Sequence, residues 1–548
     1  MFGRKRWRPL ADAERREAAG RLIGPQGLTE KQTTFGTPDV IKAWAEAHAQ
    51  GADASEIRRL AGAFTSIAGV VETAPGDPGR SARYSTRELV RVERRALALV
   101  DASRRAVAPS TSEAAVSTVE DASGAGGRAL GADQSEMLRH VCRSTDGIVC
   151  VVGQAGAGKT TATQAVAQAF IAEGFRVIGA APSGNAAERL QDETGIPSMT
   201  LHRLLIDARR DGGLPAAAVL IVDEAGMAET RVLGPVLELV AQSGGKAVLI
   251  GDTAQLPAVG AGGLFAAIVD RLGAAELTEN RRQRDVTERE ALTRIRNGWG
   301  RDYLDWADDR GTLIRCDDAI ATRARLLADW WQAAREELPG SVMIAFERRD
   351  VAELNLMARR LMQAADRLHG PELAVAGQAF AAGDRVVCTR NNDRLGVQNG
   401  TRGTVRSVDV DARTVVIATD RGDDVRLTAA YLEGRRLRHA YALTGHAGQG
   451  ATVEHAFVLG HDRGRLQEWG YVALSRSRER TAIYVCEGID RAPNGVDGGT
   501  ERVARALERP SDERLAVETE VGSVSAAGDR PSWRAGPRSH SFASGFVV

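Results

Sequence analysis

Gly153, Gln154, Ala155, Gly156, Ala157, Gly158, Lys159 and Thr160 fit the spacing G-x-x-x-x-G-K-[ST] at every position. Glycines at these places permit a tight loop whose backbone N–H groups turn inward on phosphate oxygens, at a helix N-terminus that adds positive potential. Lys159 is then the group for the β- and γ-phosphates, Thr160 the Mg²⁺ ligand, and Thr161 a further member of the nucleotide-binding set. A second pair, Asp223-Glu224, closes an apolar run about 65 residues after the lysine. Hydrolysis of a nucleoside triphosphate such as ATP needs another Mg²⁺ anchor and a group that orients or deprotonates water. Asp223 suits the first role and Glu224 the second. Charge on the leaving γ-phosphate calls for arginine, and Arg282 and Arg476 are the candidates, with Gln255 as a sensor at the end of another strand.

These residues need a scaffold. Gly147–Val152 reads as a buried parallel strand, and Thr161–Glu173 as the helix after the loop, ended by Gly174. Further strands are expected at 175–181, 218–222 and 246–251, alternating with helical text, which indicates a doubly wound parallel sheet. The chemistry-bearing positions fall at strand carboxyl ends, where such sheets bind ligands. A second α/β unit follows, with helices at 287–297, 320–336 and 350–365 and strands at 341–346, 439–444, 455–460 and 481–485. Between its halves, short β-branched runs at 384–389, 403–408 and 414–418 with the turn Asn399-Gly400 read as a small β unit.

The chain has 548 residues, so one core cannot hold it. Lys+Arg and Asp+Glu both number 72, a balance that still permits a local basic groove. Five cysteines without a C-x-x-C pair argue against a zinc site or disulfide framework and fit a reducing cytoplasm. There is no apolar stretch long enough for a membrane span. Residues 1–8 are basic and read as an arm, frayed or touching nucleic acid. We expect a helical region at 1–106 without strands, with helices at 11–23, 37–50, 54–63 and 87–100. Thr37-Pro38-Asp39 and Thr86 look like helix starts. A Ser-, Ala- and Gly-rich linker is expected at 107–127, the first α/β unit at 128–272, the second at 273–382 and 437–487, the β insertion at 383–436, and a disordered tail at 488–548.

In order, GQAGAGKT, APSGNAAERL, VDEAGM, GDTAQLP, ENRRQ, YALTGHAGQGATVE and YVALSRSR resemble motifs I, Ia, II, III, IV, V and VI of a superfamily 1 helicase of the RecD-like, 1B branch. The likeness covers roughly residues 128–487. It is closer still to the helicase half of TrwC/TraI-type (MobF) conjugative relaxases. Leu28-Thr-Glu-Lys-Gln-Thr-Thr-Phe35, Tyr84–Val90 with Glu93, and Gly383-Asp-Arg-Val-Val387 with Gln398-Asn-Gly400 carry that part. The resemblance implies an α/β fold: two RecA-like P-loop NTPase domains with an inserted small SH3-like β domain and an N-terminal helical region. ATP and Mg²⁺ would lie in the cleft between the domains, with motifs I to III from the first and IV and VI from the second. Gln134 would read the adenine, and Arg282 and Arg476 would reach the γ-phosphate as the cleft closes. Single-stranded DNA would move 5′→3′ past Pro182, Ser183, Gly184, His202, Arg203, His446, Gln449 and Thr452. Backbone and small polar contacts of that kind read no sequence.

The sequence also departs from the family. Ala447 and Gly448 follow His446 where motif V usually has a lysine, which weakens one phosphate contact. The stretch from His202 to Asp223 leaves little room for the hairpin that splits the duplex in relatives. The N-terminal tyrosines and three-histidine cluster with which MobF relaxases nick DNA have no counterpart here, since only His48 precedes the linker. We therefore expect a cytoplasmic, ATP-dependent DNA helicase or translocase without its nickase, working with a separate relaxase or conjugation coupling machinery. The alternatives are a DNA-stimulated ATPase that translocates without unwinding, and a remnant that only binds DNA.

Overall fold

The computed structural model describes residues 10–76, 81–125, 129–488, 498–511 and 514–519. The basic arm expected at residues 1–8 lies outside them. The four expected N-terminal helices are α1 (Asp12–Ile23), α2 (Thr37–Ala47), α3 (Ala54–Phe64) and α4 (Arg87–Ser103). Between them run β1 (Phe35–Gly36), β2 (Val70–Ala74) and β3 (Arg83–Thr86), an antiparallel sheet in the order β1-β3-β2 that corrects the strand-free expectation. Strands of two to five residues are too short for alternation to show. Phe35, Val40, Trp44, Leu60 and Phe64 close the small core over that sheet. Thr86 does cap α4, accepting from the Leu89 N–H at 3.4 Å. Thr37 does not cap α2; Gly36 is the cap, and its N–H donates to Asp39 Oδ2 at 2.8 Å.

The expected linker holds a helix, α5 (Glu113–Ala125). Val116 and Val119, one turn apart, are buried in the first domain's core, so a run of small residues carried a narrow apolar stripe that composition concealed.

The first domain comprises α6 (Ala132–Arg143), β4 (Ile148–Gly153), α7 (Lys159–Ala172), β5 (Val177–Ala181), α8 (Gly184–Thr194), β6 (Ser198–Thr200), α9 (Leu201–Asp211), β7 (Val219–Val222), α10 (Thr230–Gln242), β8 (Lys246–Gly251), α11 (Leu264–Leu272) and β9 (Ala275–Leu277). Its sheet runs β6-β5-β7-β8-β4-β9, all parallel. Every residue of β4, β7 and β8 is buried, as continuous apolar runs in a sheet covered on both faces should be. The boundary expected at residue 272 moves, because β9 pairs with β4 (Val151↔Ala275) and belongs to this sheet. Its three residues include a charged Glu276, tolerable on an edge strand but giving no apolar signal.

The second domain contains α12 (Val286–Arg296), α13 (Gly300–Asp309), β10 (Leu313–Cys316), α14 (Ala319–Ala334), β11 (Ser341–Ala345) and α15 (Arg348–Ala364) before the insertion. The insertion holds a hairpin of β12 (His369–Val375) and β13 (Gln378–Ala382). An antiparallel sheet follows, of β14 (Arg385–Cys388), β15 (Arg402–Asp409), β16 (Thr414–Thr419) and β17 (Asp424–Leu427), then α16 (Ala429–Glu433) and β18 (Leu437–His439). That sheet runs β17-β16-β15-β14-β18. The expected limits of 383–436 are too narrow: Leu373, Val375 and Phe380 share the core of Val386, Val405 and Ile417, and β18 pairs with β14. The chain then returns through β19 (Ala442–Thr444), α17 (Gly445–Gly448), β20 (Val453–Leu459), α18 (Gln467–Leu474) and β21 (Ser477–Cys486), completing the parallel order β10-β21-β20-β11-β19.

The expected disordered tail also needs correcting where it is described. Residues Gly499–Leu507 form α19, with Val503, Ala504 and Leu507 in the second core, and a 3₁₀ turn at Ala516–Glu518 follows. Leu515 enters the first domain's core. A few apolar residues at helical spacing suffice where a preformed surface receives them.

Candidate active site

The phosphate loop leaves β4 at Gly153 and enters α7 at Lys159, with Gly156 and Gly158 at φ +81° and +72°. Contacts also demand glycine here: a Cβ on Gly156 would stand 2.6 Å from Arg282 Cβ, and one on Gly158 2.7 Å from Gln134 Nε2. Lys159 Nζ donates to the Gly153 carbonyl at 2.8 Å, curled back over the loop. Thr160 and Thr161 continue the first turn of α7. Gln134, buried, donates from Nε2 to the Gly158 carbonyl at 3.0 Å and accepts from the Gly131 N–H at 3.0 Å. Two ties hold the loop from outside: the Ala155 N–H donates to the Tyr471 hydroxyl at 2.8 Å, and the Arg281 N–H to the Gly156 carbonyl at 2.8 Å.

Asp223 and Glu224 follow β7 directly, with Asp223 Oδ1 accepting from the Glu224 N–H at 2.9 Å. Glu224 sits at φ +52°, a left-handed conformation unusual for a non-glycine residue. Burial and the neighbouring Glu224 push the Asp223 carboxyl up. For Glu224 burial pulls upward too, but Lys159, Arg189 and Arg476 outweigh it and hold the carboxyl below its ordinary range. A pair pulled apart in this way has one member kept ionised.

After β8, Asp252 accepts from Arg296 Nη2 at 3.1 Å, and Gln255 Nε2 approaches Asp252 Oδ2 at 3.4 Å. Gln449 Nε2 donates to Gln255 Oε1 at 3.2 Å, joining the two domains at this point. The Glu279–Gln283 string follows β9 rather than a strand of the second sheet, which corrects its expected domain. It lies against the phosphate loop through Arg281 and Arg282, and against the second domain through Arg282 Nη1 and Gln283 Nε2, which donate to the Ser475 carbonyl at 2.9 and 3.3 Å. Arg476 is buried, donating from Nε to the Val472 carbonyl at 2.7 Å and from Nη2 to Ser475 Oγ at 2.9 Å. Burial, and then Arg282, lower its pKa to about 9.

The residues expected along a nucleic acid are less concentrated. Pro182 and Ser183 stand at the end of β5, where the Ser183 hydroxyl caps α8 by accepting from the Ala186 N–H at 3.2 Å. Gly184 is buried beneath the insertion, so close that a Cβ there would meet Gln398 Oε1 at 2.4 Å. His202 and Arg203 are exposed on α9, with Arg203 Nε donating to Asp207 at 2.7 Å. His446 is exposed in α17, and Thr452 half-buried just before β20. No strand lies between α9 and β7, so the described residues contain no hairpin there.

Sequence reasoning missed Tyr471 and Arg189. Arg189, on α8, reaches Glu224 Oε1 at 3.3 Å and the Gly450 carbonyl at 3.1 Å. The available signal was its spacing, since residues four apart on a helix share a face and Asn185 begins that face.

The AAA domain family matches residues 129–318. The probable conjugal transfer protein TraA of Sinorhizobium fredii is 34% identical over 419 residues, 74% of this chain and 36% of that protein. The ATP-dependent RecD2 DNA helicase of Deinococcus radiodurans is 32% identical over 350 residues, 61% of this chain and 46% of that protein. This chain thus spans less than half the length of either relative. Among solved structures, the Pif1 helicase from Bacteroides in complex with ADP-AlF3 and ssDNA aligns with 65% of this chain and 92% of its own. Its identity is 19% and its TM-score 0.46, below what argues for a shared domain arrangement. No helix among the described residues is long and apolar enough to cross a membrane. The chain belongs to the RecD-like superfamily 1 helicases, and within them it is related to the helicase part of conjugative relaxases.

Proposed function

We propose that this chain is an ATP- and Mg²⁺-dependent motor that moves 5′→3′ along single-stranded DNA in the cytoplasm, serving conjugal DNA transfer with a separate relaxase or coupling machinery. The observation that best supports it is that Lys159, Arg282 and Arg476 lie within electrostatic reach of Glu224, beside Asp223 at the end of β7. Lys159 leaves the Gly153 carbonyl for the β- and γ-phosphates, and the N–H groups of Gly156 and Gly158, unlike those of Gln154, Ala155 and Ala157, which are already bonded, turn to the remaining oxygens. Gln134, fixed at the loop's end, meets the adenine. The donor set fits Mg²⁺, because Thr160 and the partly desolvated Asp223 offer hard oxygen ligands. When bound, the metal neutralises phosphate charge. Glu224, kept ionised by three cations, accepts a proton from the attacking water, and Arg282 and Arg476 face the charge that develops on the γ-phosphate.

Gln255, hydrogen-bonded to Gln449, carries the state of the nucleotide toward the DNA side. There Pro182, Ser183, Gly184, His202, Arg203, His446, Gln449 and Thr452 contact the sugar-phosphate chain. The test is ATP turnover with and without single-stranded DNA in wild type, Lys159→Ala and Glu224→Gln. DNA should stimulate the wild type, and either substitution should lower turnover by about 100-fold or more. A wild type that binds DNA without hydrolysing ATP sinks the motor and leaves a DNA-binding remnant. A second reading, translocation without unwinding, is favoured by the lack of a hairpin between α9 and β7. Turnover without opening of a forked duplex would select it.

A further inference from the structure

In the hydrolytic scheme Arg189 serves only to help keep Glu224 ionised, yet its guanidinium touches both sides of the cleft. The residue projects from α8, directly after the proposed strand-contact residues Pro182, Ser183 and Gly184. Nη1 donates to the Gly450 carbonyl at 3.1 Å, in the loop after Gln449. Nη2 lies 3.3 Å from Glu224 Oε1 and 3.6 Å from Asp223 Oδ2. The guanidinium lies directly against Gly450, which sits at φ +78° and whose Cβ, if it had one, would stand 2.4 Å from Nη1. One side chain therefore spans the carboxylates of the first domain and the strand-contact loop of the second, from a helix whose start is itself a strand-contact element.

We infer that Arg189 is a positioning residue that couples the strand-contact face to the nucleotide site; the inference rests on the function proposed above. A planar fork holds two carboxylates and a carbonyl along fixed, separated donor directions, whereas the three donors of a lysine ammonium crowd one freely rotating nitrogen. Asp223 is the proposed Mg²⁺ ligand, so when nucleotide and metal are bound its carboxylate would be shared between the metal and the guanidinium. Arg189 then holds Asp223 less and keeps Glu224 and Gly450. In the other direction, DNA that shifts α8 or the Gln449–Thr452 loop moves the fork against Glu224. A side chain whose contacts differ between the two states is what coupling requires, and the coupling it produces is reciprocal. An ordinary ion pair that merely anchored α8 would lower stability or both affinities, but would leave their ratio alone.

The experiment measures that ratio on the full chain. Fluorescent oligo-dT is titrated with wild type, Arg189→Lys and Arg189→Ala, each with and without saturating AMP-PNP and Mg²⁺, and AMP-PNP affinity is measured with and without oligo-dT. In wild type each ligand should change the other's affinity by one common factor, within the range of about 5- to 150-fold usual for coupled sites. In both variants the factor should fall to within about twofold of one. If Arg189→Ala does not fold, Arg189→Lys decides. A wild-type factor retained in folded Arg189→Lys overturns the inference and leaves the motor standing. A wild-type factor of one, with both ligands bound, does the same. A wild type that binds no oligo-dT overturns the proposed function, and this inference with it.

Discussion

Tyr471 accepts the Ala155 N–H at 2.8 Å, a contact between α18 and the phosphate loop across 316 positions of sequence. Tyr471→Phe keeps the ring and removes the acceptor that N–H has among the described residues, so the cost is that of a buried donor left unmade, about 1–3 kcal/mol. Urea unfolding should show it as a lower midpoint with little change in slope. The same distances explain what was legible at this scale. The phosphate loop and Asp223-Glu224 are local strings, in which residue type and spacing carry the chemistry. Arg189 reaches Glu224 across 35 positions and Gly450 across 261, and nothing in the neighbourhood of any of these residues announces the others. Glu224's depressed pKa is equally non-local, since Lys159, Arg189 and Arg476 come from three separate elements.

Between elements, the join of α15 to the insertion is an ion cluster. Asp384 has no exposed side-chain surface and accepts from Arg359 Nε at 3.1 Å, Tyr441 Oη at 2.7 Å and the Ala381 N–H at 2.8 Å. Gly383 beside it sits at φ +99°, and a Cβ there would also strike the Arg367 carbonyl at 2.4 Å, so the place takes glycine on both counts. The Gly383-Asp384 text, read from sequence as part of a family likeness, is thus held in place by packing. Asp384→Ala leaves Arg359 with Glu372 alone, 2.7 Å from its Nη2, and takes the acceptor from the buried Tyr441 hydroxyl, which costs about 1–3 kcal/mol, and hydrogen exchange should report early opening of β12 to β14. Strong periodicity made the helices and the fully apolar strands readable. Elements that escaped, such as β9, β1 to β3 and α19, are short or polar on one side, and take their shape from the surface they meet.

Across the whole molecule, two docked segments hold the N-terminal region and the first domain together. Arg231 of α10 binds Glu88 and donates to the Thr29 carbonyl at 2.7 Å and its hydroxyl at 2.8 Å, so the Leu28–Phe35 text serves as a clasp. On the other side of α4, Glu93 is fully buried and accepts the Val517 N–H at 3.0 Å, while its Oε1 has no partner. Burial raises its pKa from 4.5 to about 7, against the pull of the Val517 and Ala516 backbone. Between those two pH values the folded chain carries a proton that the unfolded chain has lost, so this group makes stability fall as pH rises through the window. Above it the full penalty stands, at most about 3 kcal/mol. Glu93→Gln should therefore unfold near the wild-type midpoint at about pH 5 and later than wild type at about pH 8; equal differences at both would refute the assignment.

The segment that reaches Glu93 also changes the mechanics. The chain leaves the first sheet after Leu277, builds the whole second domain, and comes back to bury Leu515 in the core it left. A body moored at one point can tumble about it; a body moored at two separated points keeps only rotation about the line between them. The second domain is moored to the first at both of its chain ends, so it has fewer ways to turn against the first than a body moored once.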